Sequence, residues 1–164
     1  ATTLIVSIGA AGTTLAILHQ GILVSTYSIP IGGAAMTKAI SADLGFDERT
    51  AEEYKKTYGL TQDLEGKVAT VLLPIVKSIF TEVEKSIKFY QEKYPQGRIE
   101  TIILSGGGAM LPGLPSVFAQ SFGIEAEVIN PWNGIFVDQR IFQDAIIHGP
   151  LFTAVIGLAL RDYE

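Results

Sequence analysis

The first thirty residues have the pattern of three short β-strands joined by tight turns, and this feature restricts the fold more than any other. Apolar and β-branched residues fill Thr3–Ile8, Thr13–Leu18 and Ile22–Ile29. The segments between them, Gly9-Ala10-Ala11-Gly12 and Gln20-Gly21, have the small residues that hairpin turns require. A chain that begins in this way must build a β-sheet, so an all-helical fold is excluded.

Helical patterns dominate the rest of the chain. The spacing of apolar residues predicts a long amphipathic helix after Asp63, in which Pro74 marks a kink or a restart. Other helices are predicted at Ala34–Leu44, Glu48–Lys56, Leu114–Phe122, Gln139–Ile147 and Phe152–Arg161, and strands at Ile99–Leu104 and Glu125–Ile129. Strands in hairpins followed by helices and then alternating elements predict a mixed α/β sheet flanked by helices.

Composition excludes several classes of protein. The 164 residues fit one domain of roughly 100–200. With 48% hydrophobic and 18% charged residues the chain is not disordered, and its net charge of −5 offers no basic patch to nucleic acid. Cysteine is absent and the two histidines are His19, expected at the surface, and His148, so neither disulfides nor a His-rich metal centre are expected. No apolar run reaches the roughly 18–20 residues of a membrane span.

Two glycine-rich turns are the strongest candidates for a binding site. In the first, Gly9 to Gly12, successive backbone N–H groups can point at an anion because no Cβ atoms block its approach. The hydroxyl of the following Thr13 is a further donor. An ordinary tight hairpin explains the same residues, so the turn alone decides nothing.

The second turn, Ser105-Gly106-Gly107-Gly108, follows a buried strand and precedes a helix, where open α/β sheets bind their ligands. Three consecutive glycines carry a large entropic cost, so either close packing or a nucleotide against the backbone requires them. Their spacing matches neither G-x-G-x-x-G nor the P-loop, which excludes those two nucleotide folds.

One helix carries a third candidate group. Glu52 lies one turn from Lys55 and Lys56, which is the spacing of an ordinary solvated ion pair. The alternative is a carboxylate for the hydroxyls of a ribose, with a lysine beside the base.

The chain resembles the second half of the actin-like ATPases, the superfamily of actin, bacterial actins, FtsA and Hsp70. Three motifs carry this resemblance by their order along the chain: the small-residue turn, the Ala-Glu-x-x-Lys helix and the Ser-Gly-Gly-Gly turn. The chain most resembles the PilM family of type IV pilus assembly proteins. Segments along the whole chain carry this likeness: Ile29–Gly33, Ser86–Tyr90, Ile103–Ala109, Leu111–Leu114, Asn130-Pro131 and Ala154–Arg161.

The resemblance implies an actin-like (ribonuclease H-like) α/β lobe, a mixed β-sheet with hairpin strands flanked by helices. Residues 1–33 and 64–164 would form its core subdomain and residues 34–63 a small inserted helical subdomain. Proteins of this family have a further lobe with another phosphate loop, of which nothing appears here. Together with the start at Ala1, inside a strand, this predicts the C-terminal lobe of a longer protein.

The resemblance also implies a nucleotide site. The phosphates would lie against Gly9, Ala10, Ala11, Gly12 and Thr13. The ribose and adenine would lie against Glu52, Lys55, Lys56, Gly106, Gly107, Gly108 and Met110. The implied cofactor is ATP with Mg²⁺ in the full-length protein, with weak or no binding by this lobe alone because half of the phosphate cradle is elsewhere.

The sequence departs from the family in the phosphate loop, where Ala10, Ala11 and Gly12 replace a more usual Gly-Gly-Thr and Thr13 is the one hydroxyl that matches. A second departure matters more. The phosphate loop usually opens Asp-Ile-Gly, whereas here it opens Ser7-Ile8-Gly9. Ser7 would lie on the metal side of the phosphates, and a neutral hydroxyl does not offset the charge of Mg²⁺ as a carboxylate does. We therefore expect no metal ligand from a side-chain carboxylate, no catalytic residue, and ATP hydrolysis that is weak or absent.

For function, the resemblance implies a nucleotide-binding scaffold of a type IV pilus (or type II secretion-like) assembly platform at the cytoplasmic face of the inner membrane, with roles in bacterial motility and competence. Its partners would be the cytoplasmic tail of a PilN-like membrane protein and the pilus assembly ATPase, with membrane attachment only through partners. In this family the peptide surface lies largely outside this lobe, so no contact residues are assigned. Trp132 is expected to pack rather than to bind a partner.

Two other functions fit the same motifs. An FtsA-like division or filament protein is the first, which a membrane-targeting amphipathic helix would favour. The second is one lobe of a sugar or acetate kinase, which needs a catalytic carboxylate where this chain has Ser7.

Overall fold

A five-stranded sheet forms the centre of the structure, a computed structural model that describes residues 1–161. Its strands are β1 (Thr2–Ile8), β2 (Thr13–His19), β3 (Ile22–Ile29), β4 (Thr101–Ser105) and β5 (Glu125–Val128), and they lie in the order β3-β2-β1-β4-β5. The first three pair antiparallel as hairpins, whereas β4 runs parallel to β1 and β5 parallel to β4. The predicted mixed sheet is confirmed, with β4 beginning at Thr101 rather than at Ile99.

In the described part of the chain, five α-helices flank the sheet: α1 (Gly33–Leu44), α2 (Glu48–Tyr58), α3 (Lys67–Lys93), α4 (Leu114–Phe122) and α5 (Phe142–Leu160). Two short 3₁₀ segments, Asp63–Gly66 and Gly107–Met110, precede α3 and α4. The side chain of Asp47 caps α2 by accepting from the amide of Thr50, which confirms the predicted start of that helix.

The core lies between one face of the sheet and α3. Along β1 every second side chain, including Leu4 and Val6, is fully buried, as the alternation of a strand requires. Buried residues of α1 and α2 such as Met36 and Ala51 belong to the same hydrophobic cluster. The division of the chain at residues 34–63 stays a prediction.

Two helices continue through a proline, although the sequence predicts a kink or a restart at Pro74 and two separate helices around Pro150. No restart occurs at Pro74, because α3 runs unbroken and its buried residues on both sides of the proline belong to the same hydrophobic cluster as the strands. The two predicted C-terminal segments are one helix, α5, with Pro150 inside it. The carbonyl of Pro150 accepts the amide of Gly106, and Gly149 packs on Trp132, so tertiary contacts hold the helix together across the proline.

As one helix, α5 is long and apolar enough to cross a membrane, with 19 residues, a mean hydropathy of 1.3 and 17% burial. The expectation that no apolar segment reaches this length is therefore wrong, because it assumed a break near Pro150. Length and composition alone do not separate a membrane span from a helix that another part of a protein covers. Trp132 packs beside Phe152 of α5 and donates to the carbonyl of Ala145, which confirms its packing role.

The expectation that His19 lies at the surface is also wrong. His19 is half-buried, and its Nδ1 atom lies 2.8 Å from the hydroxyl of Tyr90 and 3.0 Å from that of Thr2. Its ring stacks on Tyr94, with 4.7 Å between the ring centroids. This cluster joins the end of α3 to the edge of the sheet opposite the two glycine turns.

Candidate functional site

The two glycine-rich turns lie side by side. Strands β1 and β4 are parallel, with Ser7 opposite Ser105, so the turns that follow them leave the same edge of the sheet. Gly106 and Gly108 both pack against Ile8, the last residue of β1. The structure therefore brings the two predicted halves of the site together at the carboxyl ends of adjacent strands.

The first turn contains amides that have no acceptor in the described part of the protein. Its residues Gly9, Ala10 and Ala11 are exposed, and the amide of Gly9 closes the turn by donating to the carbonyl of Gly12 at 2.9 Å. Within residues 1–161, the amides of Ala10, Ala11 and Gly12 have no backbone or side-chain acceptor. Consecutive free N–H groups in a small-residue turn form the kind of concave surface that binds an anion.

The start of α1 holds this turn from behind. The amides of Gly33 and Ala34 donate to the carbonyls of Gly9 and Ala10, both at 2.9 Å. A Cβ at Gly32 would lie 2.6 Å from the carbonyl oxygen of Ala10, so only glycine permits this contact. Sequence reasoning missed this role, because nothing in the local pattern around Gly32 and Gly33 shows that α1 begins against the turn after β1.

The predicted hydroxyl donor of the first turn is not available. Thr13 is buried, and its hydroxyl donates to the carbonyl of Ile31 at 2.7 Å. Its side chain therefore fixes the segment that leads to α1 instead of facing a phosphate. Ser7 is half-buried beside this turn, and its hydroxyl shares one face of the sheet with those of Thr14 and Ser105 on the neighbouring strands.

The second turn is bare largely because of packing. A Cβ at Gly106 would lie 2.5 Å from the carbonyl oxygen of Ile8, and a Cβ at Gly108 would overlap the side chain of Ile8. Gly106 also has φ +78°, a conformation that favours glycine. Only Gly107 has a flexible neighbour, the methyl end of Leu151. Close approach of β1 to β4 thus explains two of the three glycines without a ligand.

Helix α2 joins the two turns. In the last turn of α2, Lys55 reaches the carbonyl of Gly33, directly behind the first turn, at 3.1 Å. At its end, the amide of Leu60 donates to the carbonyl of Pro112, and Gly59 packs on the same proline, two residues after the exposed Met110. Glu52 and Lys56 on α2 therefore lie at the same edge of the sheet as both turns.

Charge at this edge is concentrated on α2. The ammonium of Lys55 lies 2.6 Å from Glu52 Oε2, and that of Lys56 lies 3.5 Å from Glu52 Oε1. Burial raises the pKa of Glu52, but hydrogen bonds from Lys55 and Thr37 and the charge of Lys55 outweigh it, so the pKa lies below its usual value. Glu52 is therefore ionised at neutral pH.

The residues present fit a nucleotide better than a metal. Free amides suit phosphate oxygens, and an ionised carboxylate with one accessible oxygen suits a hydroxyl. Among residues 1–161 no group of three acidic or histidine side chains is placed to hold a metal ion. Two surface cavities of about 370 and 380 Å³ are also present, one between β3 and α3 that reaches Ile29–Ile31 near the first turn, and one beside Phe46 and Leu64.

Known proteins share this architecture. A chain of a solved PilM-PilN type IV pilus biogenesis complex superposes with a TM-score of 0.84 at 30% identity, covering 99% of this chain and 46% of that one. The cell division protein FtsA of Bacillus subtilis (strain 168) is 29% identical over 146 residues, 77% of this chain and 33% of FtsA. MreB5 of Spiroplasma citri, solved with AMPPNP bound, is 19% identical, with a TM-score of 0.71 over 99% of this chain and 53% of that one, which shows the fold alone.

The family follows from the match along the sequence. The chain spans about half, or less, of the length of the relatives it matches. The sequence pattern of the family described as type IV pilus assembly protein PilM covers residues 1–163, nearly the whole chain. With its actin-like ATPase fold and this match, the chain belongs to the PilM family of type IV pilus assembly proteins.

Proposed function

We propose that this chain forms one wall of an ATP site in a scaffold protein of the type IV pilus. The observation that carries the proposal is the shared edge: the free amides of Ala10, Ala11 and Gly12 and the carboxylate of Glu52 lie around the start of α1. Phosphates would bind the amides, and the ribose would bind Glu52 Oε1. Met110 and the amides of the second turn would line the nucleoside.

The rest of the site would come from a second lobe of a longer protein. The residues at this edge form an open surface, and the matched relatives are about twice as long as the match or longer. Helix α5 supports the same proposal, because its side chains are apolar around most of its circumference while 17% of it is buried. A helix of this kind is normally covered on all sides. Because the rest of the ATP site would come from that second lobe, this lobe would bind ATP weakly by itself.

Nucleotide would serve to close the two lobes rather than to be hydrolysed. Mg²⁺ bound with ATP neutralises phosphate charge, and the side chains that β1 and its two neighbouring strands place beside the turn on that side are hydroxyls, of Ser7, Thr14 and Ser105. A hydroxyl is a weaker partner for a hydrated Mg²⁺ than a carboxylate is. Binding energy then stabilises one conformation without turnover.

The partner we propose is the cytoplasmic tail of a PilN-like membrane protein, at the cytoplasmic face of the inner membrane. Support comes from family membership and from the solved PilM-PilN complex, whose PilM chain is similar to this one over 99% of this chain. Attachment to the membrane would then run through that partner, and the pilus assembly ATPase would be a further component of the same platform.

Titration calorimetry of ATP into the full-length protein, with and without Mg²⁺, tests the proposal. We expect the wild type to bind ATP with little dependence on Mg²⁺ and to release no phosphate. Ser7→Asp should make ATP binding depend on Mg²⁺. Ser7→Asn should not, because its side chain is as large as that of Asp but uncharged. Absence of ATP binding by the full-length wild type contradicts the proposal, and the fold would then serve as a docking surface alone.

A further inference from the structure

Thr37 lies at the centre of a polar cluster behind the proposed ribose position. It is 5% exposed, in the second turn of α1, and its hydroxyl contacts three groups: the carbonyl of Gly33 at 3.0 Å, the ammonium of Lys55 at 2.9 Å, and the carboxylate of Glu52. A threonine inside a helix ordinarily donates to the carbonyl four residues earlier. Here a charged acceptor on another helix competes for the same proton, and hydrogen bonds to charged acceptors are the stronger ones.

Lys55 is fully engaged within the same cluster. Its side chain is 12% exposed, and three acceptors surround its ammonium: the carbonyl of Gly33 at 3.1 Å, the hydroxyl of Thr37 at 2.9 Å and Glu52 Oε2 at 2.6 Å. An ammonium has three protons, so these contacts use all of them. Lys55 therefore has no donor left for a ribose or a base, in contrast to the role predicted from the sequence, whereas Lys56 is 69% exposed.

The two oxygens of Glu52 are consequently not equivalent. Oε2 accepts from both Thr37 and Lys55, whereas within residues 1–161 the single partner of Oε1 is the ammonium of Lys56, at 3.5 Å. One oxygen is held inside, and the other faces outward on a side chain that is 35% exposed. A carboxylate held in this way loses little rotamer entropy when a ligand hydroxyl binds its free oxygen.

We infer that Thr37 is a positioning residue that fixes Glu52 for recognition of ribose hydroxyls, and that Lys55 completes this support without touching the ligand. The inference rests on the proposed ATP site. Gly33 connects it to the phosphate turn, because its carbonyl accepts from Lys55 while its amide donates to the carbonyl of Gly9. One helix turn thus holds both the carboxylate and the phosphate turn in place before nucleotide arrives.

The consequence is discrimination between ribose and deoxyribose. A hydrogen bond to a charged group contributes about 1.5–3 kcal/mol, so loss of one ribose hydroxyl should weaken binding by roughly 10–100-fold. The ratio of the affinities for ATP and for the deoxy nucleotide depends on a carboxylate that stays in position. Without the Thr37 hydroxyl, Glu52 is free to swing towards Lys56 and solvent, and the ratio should collapse.

The test compares ATP, 2′-deoxy-ATP and 3′-deoxy-ATP by calorimetry on the full-length wild type, Thr37→Val and Thr37→Ser. Thr37→Val keeps the shape of the side chain and removes the hydroxyl, whereas Thr37→Ser keeps the hydroxyl. The wild type should bind at least one of the two deoxy nucleotides more weakly than ATP. Thr37→Val should bind ATP as weakly as the wild type binds that deoxy nucleotide, and its affinity for the deoxy nucleotide should be unchanged. Thr37→Ser should retain the ratio of the wild type.

Two results would overturn the inference. One is a Thr37→Val variant that discriminates between ATP and the deoxy nucleotides as strongly as the wild type. The other is an equal loss of affinity of Thr37→Val for all three nucleotides, which indicates a merely structural role. Absence of binding of any of them by the wild type contradicts the proposed ATP site and the ribose role with it. A carboxyl titration of Glu52 by nuclear magnetic resonance then reports the positioning by itself. Its pKa should rise in Thr37→Val and not in Thr37→Ser, and an unchanged pKa in Thr37→Val would show that the hydroxyl does not hold the carboxylate.

Discussion

The amide of Gly33 donates to the carbonyl of Gly9 at 2.9 Å, so the first residue of α1 is bonded to the first residue of the turn after β1. The amide of Ala34 repeats this contact one residue further along, at Ala10. Two amides at the N-terminus of α1, which have no acceptor within the helix, therefore donate to carbonyls of the turn. Its effect is to fix the turn whose own amides remain free, and not to bind an anion directly.

Gly32→Ala should displace that turn. The new Cβ would lie 2.6 Å from the carbonyl oxygen of Ala10 and 2.7 Å from the amide nitrogen of Gly12, and both are backbone atoms that cannot rotate away. We expect a loss of about 1–3 kcal/mol in the free energy of unfolding, measured by urea denaturation. Nucleotide affinity should fall as well, because the free amides move with the turn.

Gly157→Ala is the matched control. Gly157 lies in α5 with nothing within 4 Å of the added Cβ, so the same chemical change should leave stability equal or raise it by up to ~1 kcal/mol. Equal losses for the two variants would show that the tight contact at Gly32 is not what requires glycine.

The three consecutive glycines of the second turn should respond unequally. Gly106→Ala introduces both a strained φ and a contact with the backbone of Ile8, and should cost about 2–4 kcal/mol. Gly107→Ala meets only the methyl end of Leu151, which is half exposed and can rotate, so the cost should stay below about 1 kcal/mol. Urea denaturation of both variants measures the difference, and similar losses would contradict the packing explanation.

Local patterns predicted the strands and the turns well. The alternation of β1 and the small residues after it placed β1 at Thr3–Ile8 against the observed Thr2–Ile8, and the bounds of β3 and α4 are as predicted. These features depend on neighbouring residues in the chain, which is why periodicity and turn residues reveal them. The same holds for the cap of α2 at Asp47.

The support of the site was beyond sequence reasoning because it depends on packing between distant segments. Thr37 has no local signal of function, and its role arises only when α2 places Glu52 and Lys55 beside α1. His19 and Tyr90 are 71 positions apart, and their contact requires the end of α3 to reach the sheet. The family motif predicted that Lys55 contacts the ligand, whereas all three protons of its ammonium already have acceptors within the protein.

Acid should weaken the link between α1 and α2. The pKa of Glu52 is lowered in the folded protein, since hydrogen bonds from Lys55 and Thr37 outweigh the burial that raises it. A carboxyl with a lowered folded pKa contributes stability above its unfolded pKa and loses that contribution as pH falls through the folded value. Between about pH 5 and pH 3 the wild type should therefore lose more stability than Glu52→Gln.

Urea denaturation of both proteins across this pH range measures the effect. Asp47, Glu82 and Asp138 also have a lowered pKa, but they are present in both proteins, so their contributions cancel in the comparison. Parallel pH profiles for the wild type and Glu52→Gln would show that the carboxylate adds nothing to folding.

Lysines on the exposed face of α5 should affect the isolated chain and the full-length protein differently. Val155 and Leu158 are 63% and 69% exposed, so Val155→Lys and Leu158→Lys together should leave the stability of residues 1–164 within about 0.5 kcal/mol and reduce its self-association. In the full-length protein the proposed second lobe covers this face. There the same pair should lower the midpoint of thermal unfolding, because two charges would be buried without partners.

Ala145→Lys is the control, since Ala145 is buried in the lobe itself and the change should destabilise both proteins. Scanning calorimetry gives the unfolding midpoints, and size-exclusion chromatography with light scattering gives the association state. If the lysine pair leaves the full-length protein as stable as the wild type, no second lobe packs on this face. Binding of the wild type to lipid vesicles that the lysine pair abolishes would instead assign α5 to a membrane, since the helix has the length and hydropathy for that role.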